Sequence, residues 1–160
     1  MAARQPLPTP IKTRLAETRK HALALKALVE GTTREEFVAA VAHGSPDALV
    51  TTVYPLERAF EILVNFVIEL AHFGLQLAQI VPEGSGAKVL DQLAAEGVIS
   101  KSRRDMLAAI YRARNEMQHA YPDVGAQATY DAAGALLDEF GGFFGDYARW
   151  LRGLGFGTEG

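Results

Sequence analysis

Four polar residues near the end of one predicted helix have the types and the spacing needed for chemistry at a phosphate group. They are Arg114, Asn115, His119 and Tyr121. An imidazole titrates near neutral pH, so His119 suits the role of a general acid or base. The planar guanidinium of Arg114 suits a phosphate oxygen and the charge that develops on it. The cluster therefore predicts general acid–base catalysis on a phosphate-bearing substrate.

Asn115 and Tyr121 are the predicted supporting residues of this cluster. Asn115 lies four residues before His119, within reach to orient the ring or to bind a phosphate oxygen. Tyr121 suits stacking on a base or donation to phosphate.

Basic residues are concentrated on the same helix, although the net charge of the chain is −3. From residue 101 to residue 114 five basic residues accompany a single acid, Asp105, and they are Lys101, Arg103, Arg104, Arg112 and Arg114. Arg112 is a second candidate for phosphate contact, and the choice between it and Arg114 stays open. Arg103 and Arg104 are candidate RNA contacts, for which a solvated helix face is the favoured interpretation. A local basic patch on an acidic protein indicates a partner bound at one place.

Helical geometry separates the two central residues of the cluster. The apolar residues that recur at intervals of three and four predict the core stripe Met106, Ile110, Ala113, Met117 and Ala120. In an ideal helix Arg114 and His119 lie roughly 140° apart, so they converge poorly within one chain. They fit better across a cleft, or beside the same pair from a second subunit. This geometry is a first indication of a composite, dimeric site.

A second predicted helix has an ordered polar stripe. At intervals of three and four it contains Arg58, Glu61, Asn65, Glu69, His72 and Gln76, among mostly apolar residues. A solvated face explains the stripe as well as a cleft or a dimer interface does. Asn65, Glu69 and His72 are the possible contributions of this helix to the site.

The elements that position these residues are all predicted to be helices, because the apolar residues recur at three and four and not at two. We predict helices at residues 11–30, 33–42, 87–96, 102–121 and 127–152, and a long helix that follows the turn at residues 43–46 and ends near residue 81. Thr32 and Glu35 have the spacing of a capping box, and Ser100 or Ser102 caps the helix that contains Arg114. Pro55 predicts a kink in the long helix or a start near Tyr54. The fold class is an all-α bundle of four main helices and two short ones.

Composition favours a single globular domain of 160 residues, 49% of them hydrophobic. Residues 1–10 are predicted to be a flexible N-terminus, residues 11–152 the helical domain, and residues 153–160 a flexible glycine-rich tail. No cysteine is present, which fits a reducing compartment such as the cytoplasm. The apolar stretch 59–81 contains Glu61, Asn65, Glu69 and His72, so we interpret it as a buried helix and expect no membrane partner.

The motif resembles a known signature. Residues 114–121 have the pattern Arg-Asn-x-x-x-His-x-Tyr near a helix end, which resembles the HEPN superfamily and, within it, the HepT-like toxins. The stretch from Tyr54 to His72 is similar to the long second helix of those proteins. The resemblance covers residues 11–150. Two features depart from the pattern: Glu116 and Gln118 replace apolar residues, and Pro122 directly follows Tyr121.

The resemblance implies a function, a partner and an assembly. Relatives of this kind are all-helical homodimers, and many are metal-independent ribonucleases with two motifs facing each other in a cleft between subunits. It implies that Arg114 and His119 are catalytic in an endoribonuclease acting on RNA as the toxin of a toxin–antitoxin pair. It also implies a nucleotidyltransferase antitoxin that adds AMP to Tyr121. No cofactor and no metal are expected.

Two other interpretations remain open. Glu69-x-x-His72 and Glu116-x-x-His119 have the spacing of di-metal carboxylate bundles. Such a site also needs glutamates from the other two helices, and the candidates there are Glu17, Glu30 and Glu139. The other interpretation is a HEPN-like module that dimerises or binds RNA without cleaving it.

Overall fold

Four long helices account for most of the chain. The computed structural model describes residues 3–84, 86–119 and 122–158, and the side chains of residues 118, 119 and 122–124 lie outside that description. The long helices are α1 (Thr9–Gly31), α4 (Tyr54–Leu77), α6 (Lys101–His119) and α7 (Pro122–Gly153), and the shorter ones are α2 (Arg34–His43), α3 (Pro46–Ala48) and α5 (Lys88–Ala95). The predicted all-α class, a bundle of four main helices with short ones, is confirmed. The single turn α3 continues into α4 through a π-helical turn, Leu49–Val53.

Helix α4 is the centre of the bundle. It packs against α1, α5, α6 and α7, and ten of its residues are buried. Large buried rings fill the space between α4 and α7, among them Phe60, Phe143 and Tyr147. The hydroxyl of Tyr147 donates to the backbone oxygen of Leu70 at 2.6 Å, and burial raises the pKa of this phenol. The core therefore fixes the direction of α4, on which the polar stripe lies.

The capping box before α2 lies one residue later than predicted. Thr33, and not Thr32, accepts a hydrogen bond from the backbone of Glu36, whose carboxylate accepts one from the backbone N–H of Thr33. Thr32 is the extended residue that ends α1, and its backbone oxygen accepts from the hydroxyl of Tyr130 at 2.6 Å. Both threonines have a glutamate three residues ahead, so spacing alone did not distinguish them.

The capping box allows a matched test of stability. We expect Thr33→Ala to lower the free energy of unfolding by about 1 kcal/mol, because a backbone N–H of the first turn of α2 loses its acceptor. We expect Thr32→Ala to stay within about 0.5 kcal/mol of wild type, since Tyr130 donates its hydrogen bond to the backbone oxygen of that residue, which alanine retains. Urea unfolding of both variants measures the difference. Equal losses would contradict the assignment.

A proline at the start and a left-handed residue after the end set the limits of α4. Helix α4 begins at Tyr54 with Pro55 in its first turn, as one of the two predicted alternatives has it. It ends at Leu77 and not at Val81, because Gln79 has a left-handed backbone with φ of 61°. The backbone N–H of Ile80 then donates to the oxygen of Leu75 at 2.9 Å, which closes the helix.

Helices α6 and α7 follow each other closely. Ser100 is the residue that caps α6, since the backbone N–H of Arg103 donates to its hydroxyl at 3.1 Å. Helix α7 begins at Pro122 and not near residue 127. Proline disfavours a helical conformation in the residue before it and is favoured in the first turn of a new helix.

One helical stretch in the described part of the chain, Pro46–Leu77, is long and apolar enough to cross a membrane by length and composition. The core helix of a soluble protein passes the same test. The burial of α4 among four other helices agrees with the predicted buried helix.

The two chain ends meet. Strand β1 (Gln5–Pro6) pairs in parallel with β2 (Phe156–Gly157), and the backbone N–H of Gln5 donates to the oxygen of Gly155 at 2.9 Å. No strand was predicted here, because two residues are too few to show an alternating pattern. The domain limits and the flexibility of the ends stay predictions.

Candidate active site

The buried face of α6 contains Leu107 where the prediction has Met106. Leu107 and Ile110 are buried, whereas Met106, predicted to lie in the core, is 42% exposed. Arg114 lies seven residues after Leu107 and therefore on the same inner face. The sequence pattern was misleading because polar side chains, Arg103 and Arg114, occupy two positions of the true inner face. Arg114 consequently points towards α4 and not along a flank of the helix.

The guanidinium of Arg114 is held by two amide groups. Its Nη2 donates to Oδ1 of Asn65 on α4 at 2.7 Å, and its Nη1 donates to Oδ1 of Asn115 at 2.8 Å. A carboxylate oxygen of Glu61 lies 4.0 Å from Nη2, beyond hydrogen-bond distance. Because amide oxygens are neutral, these contacts orient the guanidinium without cancelling its charge. The side chain remains 17% exposed, and N–H donors are left for an anion.

The arginines at the start of α6 are bound differently. Arg103 contacts two carboxylates of α7, with its Nε 3.0 Å from Glu139 and its Nη1 hydrogen-bonded to Asp146. A Cβ at Gly142 would overlap the Arg103 guanidinium, so the absence of a side chain there admits it. These contacts join α6 to α7, and the role of Arg103 in RNA binding stays a prediction.

Arg104 is also paired with acids. Its Nη1 donates to Asp91 of α5 at 2.8 Å, and its Nε lies 2.8 Å from Asp105. The hydrogen bond that Arg104 donates to Asp91, with the nearby charge of Asp105, raises the pKa of Arg104. Its predicted role as an RNA contact is not tested by this geometry. Arg112 differs from both, because its side chain is exposed to solvent.

The polar stripe of α4 is divided between two neighbouring helices. Glu61 and Asn65 face Arg114 of α6, whereas Glu69 forms an ion pair with Arg14 of α1 at 2.7 Å. The stripe is therefore neither a fully solvated face nor a single cleft. Asn65 is brought to the candidate site, and Glu69 is directed away from it. His72 lies half-buried further along the helix.

Glu61 is the site residue that the sequence analysis did not select. It belongs to the predicted stripe and lies one helical turn before Asn65, which was the available signal. Its carboxylate accepts a hydrogen bond from Arg58 at 3.1 Å. On the opposite side of the helix, His21 of α1 packs edge-on against Phe66, with 5.2 Å between the ring centroids.

Two predicted site residues, His119 and Tyr121, have side chains outside the described part of the chain. His119 is the last residue of α6, and its side chain falls outside the described residues. Tyr121 and Ala120 fall outside them altogether. The described part of the cluster is thus Arg114, Asn115 and the residues of α4 that hold them.

The glutamates of the di-metal interpretation do not converge. Glu69 pairs with Arg14, and Glu139 pairs with Arg103. Glu17 and Glu30 lie 3.7 Å from His21 and Lys26 respectively, and Glu116 is exposed. Among the described residues no three His, Asp or Glu side chains form a group that could hold a metal ion.

Comparison with known proteins identifies one family. A family model described as "Ribonuclease HepT-like" matches residues 19–144, a segment that contains all of α4 and α6 and therefore every described contact of Arg114. No curated protein and no solved structure matches the chain.

Proposed function

The chain belongs to the HepT-like ribonuclease family, and on that premise we propose that it is an endoribonuclease that cleaves RNA without a metal ion. Arg114 and His119 are its catalytic residues in this proposal. Asn115, Tyr121 and Arg112 support them in binding RNA.

The environment of Arg114 is the observation that supports the proposal most directly. Its guanidinium is fixed between Asn65 and Asn115 by neutral acceptors. A charge that is already oriented requires no rearrangement as the phosphorane forms, which is how preorganised donors stabilise a transition state. Arg103 and Arg104, by contrast, have carboxylate partners within 3.0 Å. This difference in partners supports Arg114, and not Arg103 or Arg104, as the phosphate contact in the proposal.

The chemistry needs only the groups that RNA and these side chains bring. A general base removes the proton of the 2′-hydroxyl, and the 2′-oxygen attacks the adjacent phosphorus. The bond from phosphorus to the 5′-oxygen breaks, and that oxygen takes up a proton from a general acid. His119 serves as one of these two groups, while Arg114 stabilises the charge on the phosphorane. The products are a 2′,3′-cyclic phosphate and a 5′-hydroxyl.

A homodimer completes the site in this proposal. Positions 114 and 119 lie roughly 140° apart around an ideal helix, so one copy of α6 does not direct both side chains to one phosphate with ease. Two copies of the motif that face each other in a cleft solve this problem, because Arg114 of one copy then lies near His119 of the other.

The biological setting is proposed from the family resemblance. We propose that the enzyme is the toxin of a toxin–antitoxin pair, acting in the cytoplasm. Its partner would be a nucleotidyltransferase that adds AMP to Tyr121 and so blocks the site. Intact mass of the chain co-expressed with such a partner, with Tyr121→Phe as the control, measures the modification.

Cleavage of RNA in the presence of EDTA tests the central proposal. We expect the purified chain to cut total cellular RNA under these conditions and to leave 2′,3′-cyclic phosphate ends, because the 2′-hydroxyl is the nucleophile. End-group analysis by ligation and phosphatase treatment distinguishes the products. Products with 3′-hydroxyl and 5′-phosphate ends would exclude the mechanism, and cleavage that EDTA abolishes would exclude metal independence.

A non-catalytic RNA-binding module is the competing proposal, since the same fold supports either role. Binding of RNA by the wild-type chain without any cleavage would favour it. If instead wild type cuts RNA, and His119→Ala binds RNA as wild type does but no longer cuts it, the result supports the proposed endoribonuclease.

A further inference from the structure

A basic pocket lies where the two chain ends meet the bundle. It has a volume of about 540 Å³ and is formed by the paired termini, the first half of α1 and the last third of α7. The lining residues with polar or aromatic side chains include Arg4, Thr9, Lys12, Arg19, Phe144 and Thr158. The pocket shares no residue with the surroundings of Arg114.

The charge of this pocket is unbalanced. Arg4, Lys12 and Arg19 line it, and among the residues that the structure describes no acid does. These three bases are exposed, and none has an ion pair with a described residue. A fourth base, Arg152, donates to the hydroxyl of Thr158 at 3.0 Å. On a chain of net charge −3, four bases around one cavity create a local positive potential that attracts an anion.

An aromatic surface lies beside these charges. The guanidinium carbon of Arg19 lies 4.6 Å from the centroid of the Phe144 ring, so the planar cation rests on the ring. Aromatic rings and arginine planes are the surfaces on which unpaired bases stack in complexes with single-stranded RNA. The hydroxyls of Thr9 and Thr158 add hydrogen-bonding groups that suit phosphate oxygens.

The family match does not account for this pocket. It covers residues 19–144, so Arg4, Lys12 and Thr158 all lie outside it. The pocket depends on the pairing of β1 with β2, which brings Arg4 to the wall formed by α1.

We propose that this pocket binds phosphate groups of single-stranded RNA at a distance from the cleaved bond. Phosphate as the ligand follows from the basic side chains of Arg4, Lys12 and Arg19, which form no ion pair with a described residue. RNA as the source of the phosphate rests on the proposed ribonuclease function. The pocket would hold a flanking stretch of the substrate while Arg114 contacts the scissile phosphate.

Salt dependence of RNA binding tests this proposal. All proteins contain His119→Ala so that the RNA stays intact, and anisotropy of a fluorescein-labelled single-stranded RNA gives Kd at a series of KCl concentrations. We expect Arg4→Ala/Lys12→Ala to weaken binding about tenfold or more. It should also reduce the slope of log K against log salt by about 1.4, since each lost phosphate contact is worth about 0.7 on a single strand.

The matched control removes the same charge elsewhere. Lys26 and Lys88 are exposed and lie outside the pocket, so Lys26→Ala/Lys88→Ala should leave the slope close to that of the parent. Equal losses in the two double variants would overturn the pocket as a site, because only the net charge would then matter.

Small phosphates form the second arm of the experiment. AMP and inorganic phosphate are added as competitors at constant ionic strength, and we expect neither at millimolar concentration to displace the labelled RNA. Displacement that is lost in Arg4→Ala/Lys12→Ala would assign the pocket to a small phosphate and overturn RNA as the occupant.

Failure of this inference and failure of the proposed function give different results. If the chain cleaves RNA but the pocket variants bind it normally, the pocket is wrong and the enzyme stands. If the chain never cleaves RNA but binds it through the pocket, the pocket stands and the proposed ribonuclease function is wrong.

Discussion

Replacement of Arg114 by alanine lowers RNA cleavage by about 100- to 1,000-fold, the range for a preorganised donor that stabilises transition-state charge. Loss of the general acid or base in His119→Ala costs about 100- to 10,000-fold. Arg114→Lys keeps the charge but loses the planar fork of donors, so we expect an intermediate loss. Single-turnover cleavage of a defined RNA measures these rates. Lys88→Ala, on α5, is the charge control and should cut as wild type does.

The variant Asn65→Asp distinguishes a structural role of Arg114 from a catalytic one. Arg114 also joins α6 to α4 through its bond to Asn65, so Arg114→Ala removes a packing contact along with a charge. Asn65→Asp keeps the acceptor oxygen in place but adds a negative charge, which would neutralise the guanidinium. We expect this variant to unfold no more easily than wild type and yet to cleave RNA far more slowly. Wild-type cleavage by Asn65→Asp would contradict the requirement for an uncompensated charge at Arg114.

Mixing two inactive variants restores cleavage if the site is shared between subunits. In a heterodimer of Arg114→Ala with His119→Ala, one composite site receives both substitutions and the other receives neither. Random exchange makes half of the dimers mixed, so the mixture should recover about a quarter of the wild-type rate. Neither variant alone should cleave appreciably.

The control for this experiment is a mixture of each variant with the double variant Arg114→Ala/His119→Ala. No composite site is intact in those dimers, so no cleavage should return. If the first mixture also stays inactive while subunit exchange is demonstrated by labelled chains, the two residues act within one chain, and the composite site is wrong.

Much of the fold was predictable from the sequence because its signals are local. Glycine, proline and capping residues mark helix ends, and apolar residues at three and four mark buried faces. The start of α4 at Tyr54 was one of two predicted alternatives, and its apolar composition predicted its burial. The errors were local as well, where two neighbouring residues qualified equally, as with Thr32 and Thr33.

The site was predictable in its residue types but not in its orientation. The motif selected Arg114, Asn115 and His119, and the stripe of α4 included Asn65. Which of them meet depends on the rotation of α6 about its axis. The sequence favoured a stripe through Met106, because an inner face that contains arginines does not look apolar.

The sequence by itself therefore determined the helices, the family and the cluster of residues able to act on a phosphate. Only the tertiary structure decided that Asn65 holds Arg114 with a neutral oxygen, that carboxylates bind Arg103 and Arg104, and that the chain ends form a basic pocket. The physical reason is distance along the chain. Asn65 lies 49 residues from Arg114, and no local pattern records which charges meet across such a separation.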